Sequence, residues 1–207
     1  MADDLELAQR WRDGDAQAGG VLFERHYASI ERFFRNKVNS GIEDLIQRTF
    51  LLAVESRDRF RGASSYRTYL FGIAYNVLRD HYRAARRERE RLDFGHDSVA
   101  DLAPGASTLL RGVEERAELL AALRSIPLDF QVVLELYYWE QLDQRAIADA
   151  LGIPHGTARS RIRLGKQKLV AALEAMARDG AAVHDTLTNL DQWARELREQ
   201  LARTPLP

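Results

Sequence analysis

Apolar residues recur along the chain with a period of three to four, and no alternating run of strand type is sustained. In residues 20–38, Phe23, Tyr27, Ile30, Phe34 and Val38 fall at spacings of three and four, which predicts one helix with a single apolar stripe. Ser40-Gly41 ends it. A second helix is predicted from Ile42 to about Arg57, with Leu45, Thr49, Leu52 and Ala53 on one face. Phe60-Arg61-Gly62-Ala63-Ser64-Ser65 reads as a loop closing on an N-cap serine. A long helix is predicted from about Tyr66 to Arg91. Its stripe of Leu70, Ile73 or Ala74, Val77 and Leu78 fades into charge beyond Tyr82, and Tyr69 and Ile73 are expected in the core.

Residues 92–112 hold Gly, Pro, Ser and Asp without a period and read as a linker. The helical pattern resumes at Val113–Ser125. Pro127 suits the first turn of a helix to about Trp139. Asp143 is the expected N-cap of Gln144–Leu151, Gly152 its stop, and Pro154 lies at the start of a helix over about His155–Arg178. In the tail, Val183, Leu187, Leu190, Ala194, Leu197 and Leu201 follow a 4,3,4,3,4 spacing, a heptad seam beside Trp193. A helix this short needs a partner, in this chain or another. The expected fold is all-α, with a domain over 1–91, a linker over 92–112, a second domain over 113–180 and a helical extension over 181–207.

Charge adds to this picture only through its distribution. The 207 residues carry a net charge of −1. Yet residues 155–169 hold five basic side chains and no acid, and residues 79–91 hold six Arg against three acids. Between them, residues 92–120 are acidic. The chain has no cysteine, which excludes a disulfide scaffold, a thiol nucleophile and a cysteine zinc site. No apolar run approaches the ~18 residues that span a bilayer. The start, MADDLELAQR, is acidic and has Ala at position 2, so neither a secretory signal nor a myristoylation site is read there. The expected compartment is the cytoplasm, with no membrane partner.

Nothing supports an enzyme, a cofactor or a metal. The five histidines are scattered and none has HExxH spacing. Gly165-Lys166 fails as the end of a phosphate loop, because position 160 is Ser and 167 is Gln.

Gln144–Leu169 reads as a helix-turn-helix: a short helix, a tight Gly-Ile-Pro turn and a second helix. Ile147, Ala148, Leu151, Ile153, Ala158 and Ile162 would form its seam. Ser160 and Arg163 then point away, flanked by Arg159, and are candidates for base edges in the major groove. Thr157, Arg161, Lys166 and Lys168 are candidates for phosphates. A second signal lies in Phe60–Arg83, where Phe60, Tyr66, Tyr69, Phe71, Tyr75 and Tyr82 interleave with Arg61, Arg67, Arg79 and Arg83. Rings and guanidinium groups together suit unstacked single-stranded bases, whereas rings alone suit a core.

Three stretches in order carry a family resemblance. Glu43-Asp44-Leu45-Ile46-Gln47-Arg48-Thr49-Phe50 is the first. The second runs through Phe60-Arg61-Gly62, Tyr66-Arg67-Thr68-Tyr69-Leu70, Ile73-Ala74-Tyr75-Asn76 and Asp80-His81-Tyr82-Arg83. The third is Ile147-Ala148, Leu151-Gly152-Ile153-Pro154 and Gly156-Thr157-Ala158-Arg159-Ser160-Arg161. Over about Val21–Ala172 the chain resembles the extracytoplasmic-function (ECF) sigma factors, the small two-domain class of bacterial transcription initiation factors. The resemblance implies that the first domain (region 2) docks on the clamp helices of the polymerase β′ subunit through Glu43, Asp44, Leu45, Gln47 and Phe50. It implies that Phe60, Arg61, Ser64, Ser65, Asn76, Arg79 and Arg83 recognise and melt the −10 element. The helix-turn-helix (region 4) would read the −35 element, and the acidic linker would run toward the RNA exit path. Implied partners are core polymerase (β′ clamp helices and β flap), promoter DNA and an anti-sigma factor. The sequence departs from the family pattern at Tyr66 and Tyr69, where Phe and Trp are common, at Ala158 for the usual Val, and at Leu142-Asp143-Gln144.

Two other readings remain open at this point. One is a two-domain helix-turn-helix regulator that binds DNA but not polymerase. The other is a helical adaptor, which leaves the charge islands unexplained.

Overall fold

The computed structural model describes residues 2–92 and 114–176. The acidic linker and the heptad seam of the tail lie outside the described residues. Among those described, every regular element is a helix: α1 (Asp4–Arg12), α2 (Ala16–Arg35), α3 (Ile42–Glu55), a 3₁₀ turn (Arg57–Arg59), α4 (Tyr66–Leu92), α5 (Glu114–Ser125), α6 (Leu128–Tyr138), α7 (Gln144–Leu151) and α8 (His155–Met176). None is long and apolar enough to cross a membrane. They fall into two compact units. One holds α1–α4 and residues 148–153, the other the remainder of α5–α8.

The first unit starts with a helix that the hydrophobic pattern does not announce. Asp3 caps α1 by accepting from the Glu6 N–H at 2.8 Å. Gly14, at φ +106°, turns the chain, and Asp15 caps α2 through the N–H groups of Gln17 and Ala18. Arg10 binds the same Asp15 carboxylate at 2.7 Å; together these hydrogen bonds hold it below the ordinary aspartate range. Gly19 is obligatory inside α2, because a Cβ there would lie 2.5 Å from the Trp11 indole. Trp11 in turn meets Phe23 and Tyr66 edge-on.

The buried side of α2 is Ala18, Leu22, His26, Ile30, Phe33 and Phe34. Of the expected stripe, Ile30, Phe34 and Val38 are buried and Phe23 is half-buried. Tyr27 is 46% exposed, and His26 occupies the inner position instead. It can do so because the Asp4 carboxylate takes its Nε2–H at 2.7 Å. On α3, Ile46, Thr49 and Ala53 are buried, while Leu45 and Leu52 are half-buried. On α4, Leu70, Ala74, Val77 and Leu78 are buried as expected. Tyr69 and Ile73 are not: both are half-buried. The Tyr69 hydroxyl explains its place, donating to the Ser56 carbonyl at 2.9 Å at the edge of the unit.

Burial lowers the His26 pKa below its ordinary value, with Arg67 and Arg25 adding to the effect and Asp4 opposing it. Burial works to raise the Asp4 pKa, but the hydrogen bonds and charges of Arg25 and His26 outweigh it and hold it low. A depressed folded-state pKa means that below pH ~6.5 the unfolded chain takes up the His26 proton first. The stabilisation from neutral His26 is therefore complete above that pH and lost as pH falls through the folded value. Denaturant midpoints should decline from pH 7 to 5, and less steeply in His26→Gln. Parallel pH profiles for the two proteins would show that His26 contributes nothing to the slope.

The second unit packs α5, α6 and α8 around Leu119, Ala122, Leu123, Ile126, Leu134, Tyr138, Trp139, Leu169 and Leu173. Full burial of each large apolar side chain here is worth about 1.5–3 kcal/mol before ordering costs. Gly165 lets α8 approach α6, since a Cβ there would lie 3.2 Å from Leu134. The connection from α5 to α6 is satisfied by a side chain: the Gln131 amide donates to the Ile126 carbonyl at 2.7 Å and the Arg124 carbonyl at 3.3 Å.

Candidate nucleic-acid interface

The segment from α7 to α8 has the local chemistry that the sequence indicates. Asp143 caps α7, accepting from the Ala146 N–H at 2.7 Å. Gly152, at φ +62°, ends it, a conformation that costs other residues strain. The Ile153 N–H donates back to the Ala148 carbonyl at 3.0 Å. The Pro154 carbonyl then accepts from Thr157 and Ala158 and starts α8. Ile147, Ala148, Leu151, Ala158 and Ile162 are buried, and Ile153 is half-buried.

With Ala158 and Ile162 inside, α8 presents Arg159, Ser160 and Arg163 to solvent, and all three are exposed. The other basic residues of this stretch are not equivalent. Arg161 is half-buried; one Nη donates to Asp129 at 2.8 Å while the other is buried without a hydrogen-bond partner. It is tied into its own unit. Lys166 is half-buried, with its ammonium over the Tyr137 and Tyr138 rings at 5.5 and 5.0 Å. Lys168 is exposed, and its ammonium lies 5.5 Å from the Phe130 ring centroid. Thr157 is half-buried in the first turn.

The aromatic series of the first unit is mostly interior. Phe60, Tyr66, Phe71 and Tyr75 are buried. Phe60 packs on Tyr66 and Tyr69 at centroid distances of 5.6 and 5.2 Å. Burial pushes the Tyr66 hydroxyl pKa well up, and that oxygen has no hydrogen-bond partner. A row of rings open to unstacked bases is therefore absent from the described residues of this stretch. What solvent meets is Arg61, Gly62, Ala63 and Ser65 of the loop, with Asn76, Arg79 and Arg83 on α4, while Ser64 is half-buried. Ser65 begins α4 as expected, its Oγ accepting from the Thr68 N–H at 3.0 Å. Arg83 pairs with Asp80 at 3.4 Å, and the Arg79 guanidinium lies 5.6 Å from the Tyr75 ring.

A third surface includes residues that the periodicity argument passed over. On α3, Asp44, Gln47, Leu51 and Val54 follow spacings of 3, 4 and 3 and are all exposed, Leu51 by 49%. They lie opposite the buried Ile46, Thr49 and Ala53. Beside them Phe50 is half-buried, stacked parallel on the exposed Tyr27 at 6.3 Å and against Phe23 at 4.9 Å. Glu43 is exposed and Leu45 half-buried. The spacing was available in the sequence, but it belongs to the outer face of a helix whose inner face also repeats.

Among the described residues the fold is all-α in two units, with a helix-turn-helix segment whose second helix exposes arginines and with a mixed apolar and acidic stripe exposed on α3. Residues 22–88 match the model of sigma-70 region 2, and residues 116–169 match that of sigma-70 region 4. The RNA polymerase sigma factor HrpL of Pseudomonas syringae pv. syringae is 28% identical over 152 residues, 72% of this chain and 83% of that protein. The ECF RNA polymerase sigma-E factor of Escherichia coli K12 is 26% identical over 184 residues, 84% and 96% of the two chains. Among solved structures, CnrH in complex with the cytosolic domain of CnrY is similar at a TM-score of 0.62 and 26% identity, covering 86% of this chain and all of that one. RpoE from Bartonella quintana, in complex with the anti-sigma factor NepR, shares the fold at a TM-score of 0.61 and 20% identity, over 76% and 98%. The chain belongs to the sigma-70 family, in its ECF class. These are regulatory subunits that direct RNA polymerase to promoters.

Proposed function

We propose that this sigma factor divides a promoter between its two units while its α3 face holds polymerase. In the second unit, α8 reads the −35 element through Arg159, Ser160 and Arg163, with Lys168 on phosphate. In the first, the Phe60–Ser65 loop and Asn76 receive an extruded base of the −10 element. An amide can read a base edge as donor and acceptor together. Arg61, Arg79 and Arg83 stand where they can neutralise the separated strand. Phe60, buried against Tyr66 and Tyr69, serves as the floor of the loop. The division into residues 1–91, a 92–112 linker and 113–180 follows from these roles. The whole assembly works in the cytoplasm, with polymerase.

The observation that carries this reading is the coexistence of two unlike surfaces. The exposed arginines of α8 suit nucleic acid. The exposed stripe of Asp44, Gln47, Leu51 and Val54, with Tyr27 and Phe50 beside it, mixes apolar and acidic groups at heptad spacing. That suits a helical protein partner, here the β′ clamp helices. RpoE from Bartonella quintana is bound to an anti-sigma factor; a partner of that kind would, on this reading, act by covering the α3 face.

Run-off transcription from genomic fragments with core polymerase tests the reading. Discrete start sites should appear only when this chain is added. DNA binding without new start sites would favour the regulator instead.

A further inference from the structure

The Phe60–Ser65 loop has few internal supports. Its hydrogen bonds lie at its ends: the Phe60 N–H on the Arg57 carbonyl at 3.1 Å, and Ser65 capping α4. Arg61, Gly62 and Ala63 between them are exposed, and Gly62 sits at φ +73°, where any other residue is strained. A loop of this kind would sample several conformations, and reading a base needs one of them.

Helix α1 supplies the missing constraint. Arg12 Nη1 donates to the Phe60 carbonyl at 3.4 Å, across 48 residues of sequence. Leu5 is 44% exposed, and its Cδ1 lies 2.9 Å from where a Cβ on Gly62 would sit. Leu5 therefore closes on the turn itself. The helix is in turn fixed from behind. The Asp4 carboxylate takes hydrogen bonds from Arg25 at 2.5 Å and His26 at 2.7 Å, and Arg25 also donates to the Ala2 carbonyl. Trp11 is buried against Gly19, Phe23 and Tyr66. A helix anchored this firmly transmits its own position to whatever it touches.

We propose that α1 is a brace that selects the promoter-reading conformation of the Phe60–Ser65 loop, with Arg12 and Leu5 as its positioning residues. The proposal rests on the assignment of that loop to the −10 element. It asks Arg12 and Leu5 to affect which base is accepted and how fast the duplex opens, without touching the base.

The test uses holoenzyme formed from the full chain and core polymerase on a promoter mapped by run-off transcription. Arg12→Ala and Leu5→Ala should each slow open-complex formation by about 3- to 10-fold, the scale of one partly exposed interaction, and relax the preference among −10 base substitutions. Core affinity should stay within about twofold, since surface changes seldom propagate further. Arg12→Lys, which keeps a donor, should recover part of the loss. Arg61→Ala and Asn76→Ala serve as controls for the underlying assignment: if they too leave −10 opening unchanged, that assignment fails. If they slow opening while both α1 variants match wild type, only the brace is overturned. A uniform loss at all −10 sequences in Arg12→Ala, with a shallower salt dependence and a wild-type Leu5→Ala, would make Arg12 a phosphate contact and also overturn it. So would a fall in melting temperature with base preference intact, the mark of a structural role alone.

Discussion

Leu51→Arg should weaken holoenzyme assembly severely while leaving the free protein folded. Leu51 is about half exposed on α3 and lies outside the core, so its replacement removes no packing there. Exposed substitutions of this kind change stability by about 0.5 kcal/mol or less. In the complex the position is different. Leu51 lies at the middle of the Asp44, Gln47, Leu51, Val54 stripe, beside the Tyr27–Phe50 stack. Covering the stripe would strand the new guanidinium against apolar groups, and central residues of an interface typically cost about 2 kcal/mol or more when lost. The expected weakening of core binding is about 30-fold or greater, read by competition against the wild-type chain. Gln17→Arg, an equally exposed change at the start of α2, adds the same charge away from the stripe and should bind normally. If Gln17→Arg and Leu51→Arg behave alike, net charge and not the stripe governs assembly.

The helices from α2 onward were legible because their caps and breaks are written in residue type. Ser65, Asp143 and Gly152 each do what their chemistry dictates, whereas α2 stops at Arg35, ahead of Ser40-Gly41, and Gly41, at φ +71°, precedes α3 instead. What escaped is instructive. Helix α1 spans nine residues and is followed by Gly14 and Gly19-Gly20, which read as loop signals. In fact only Gly14 turns the chain; Gly19 is a packing glycine under Trp11. The burial of His26 in place of Tyr27 escaped for a related reason. A polar His26 does not count toward an apolar stripe, yet a carboxylate 22 residues earlier in the sequence makes it a core residue. The aromatic series left a surface and a core reading open, because ring content alone cannot say whether a ring lines a surface or fills a core; most of these rings fill one. Pairwise ties such as Arg161 to Asp129 and Arg12 to Phe60 bridge 32 and 48 residues, and no local pattern encodes them.

The basic stretch of α8 shows what such ties do to function, because residues of one type should give three phenotypes. Arg163 and Arg159 are exposed and free to make the planar, two-point contact that distinguishes guanine from other bases. Arg163→Ala should cost about 1–3 kcal/mol of promoter affinity and relax the preference at one −35 position. Lys168 is exposed near Phe130, and in the proposed reading its flexible ammonium would meet phosphate as a point charge. Lys168→Ala should weaken every −35 sequence alike and reduce the salt dependence by about one counterion. Arg161 is already spent on Asp129 inside its own unit. Arg161→Ala should lower the unfolding midpoint and leave sequence preference unchanged, the effect of losing a partly buried pair and not a DNA contact. Binding of holoenzymes to a panel of −35 substitutions at several salt concentrations, with melting temperatures of the free chains, separates the three. Relaxed specificity from Lys168→Ala, with a uniform loss from Arg163→Ala, would reverse the assignment of reader and anchor along α8.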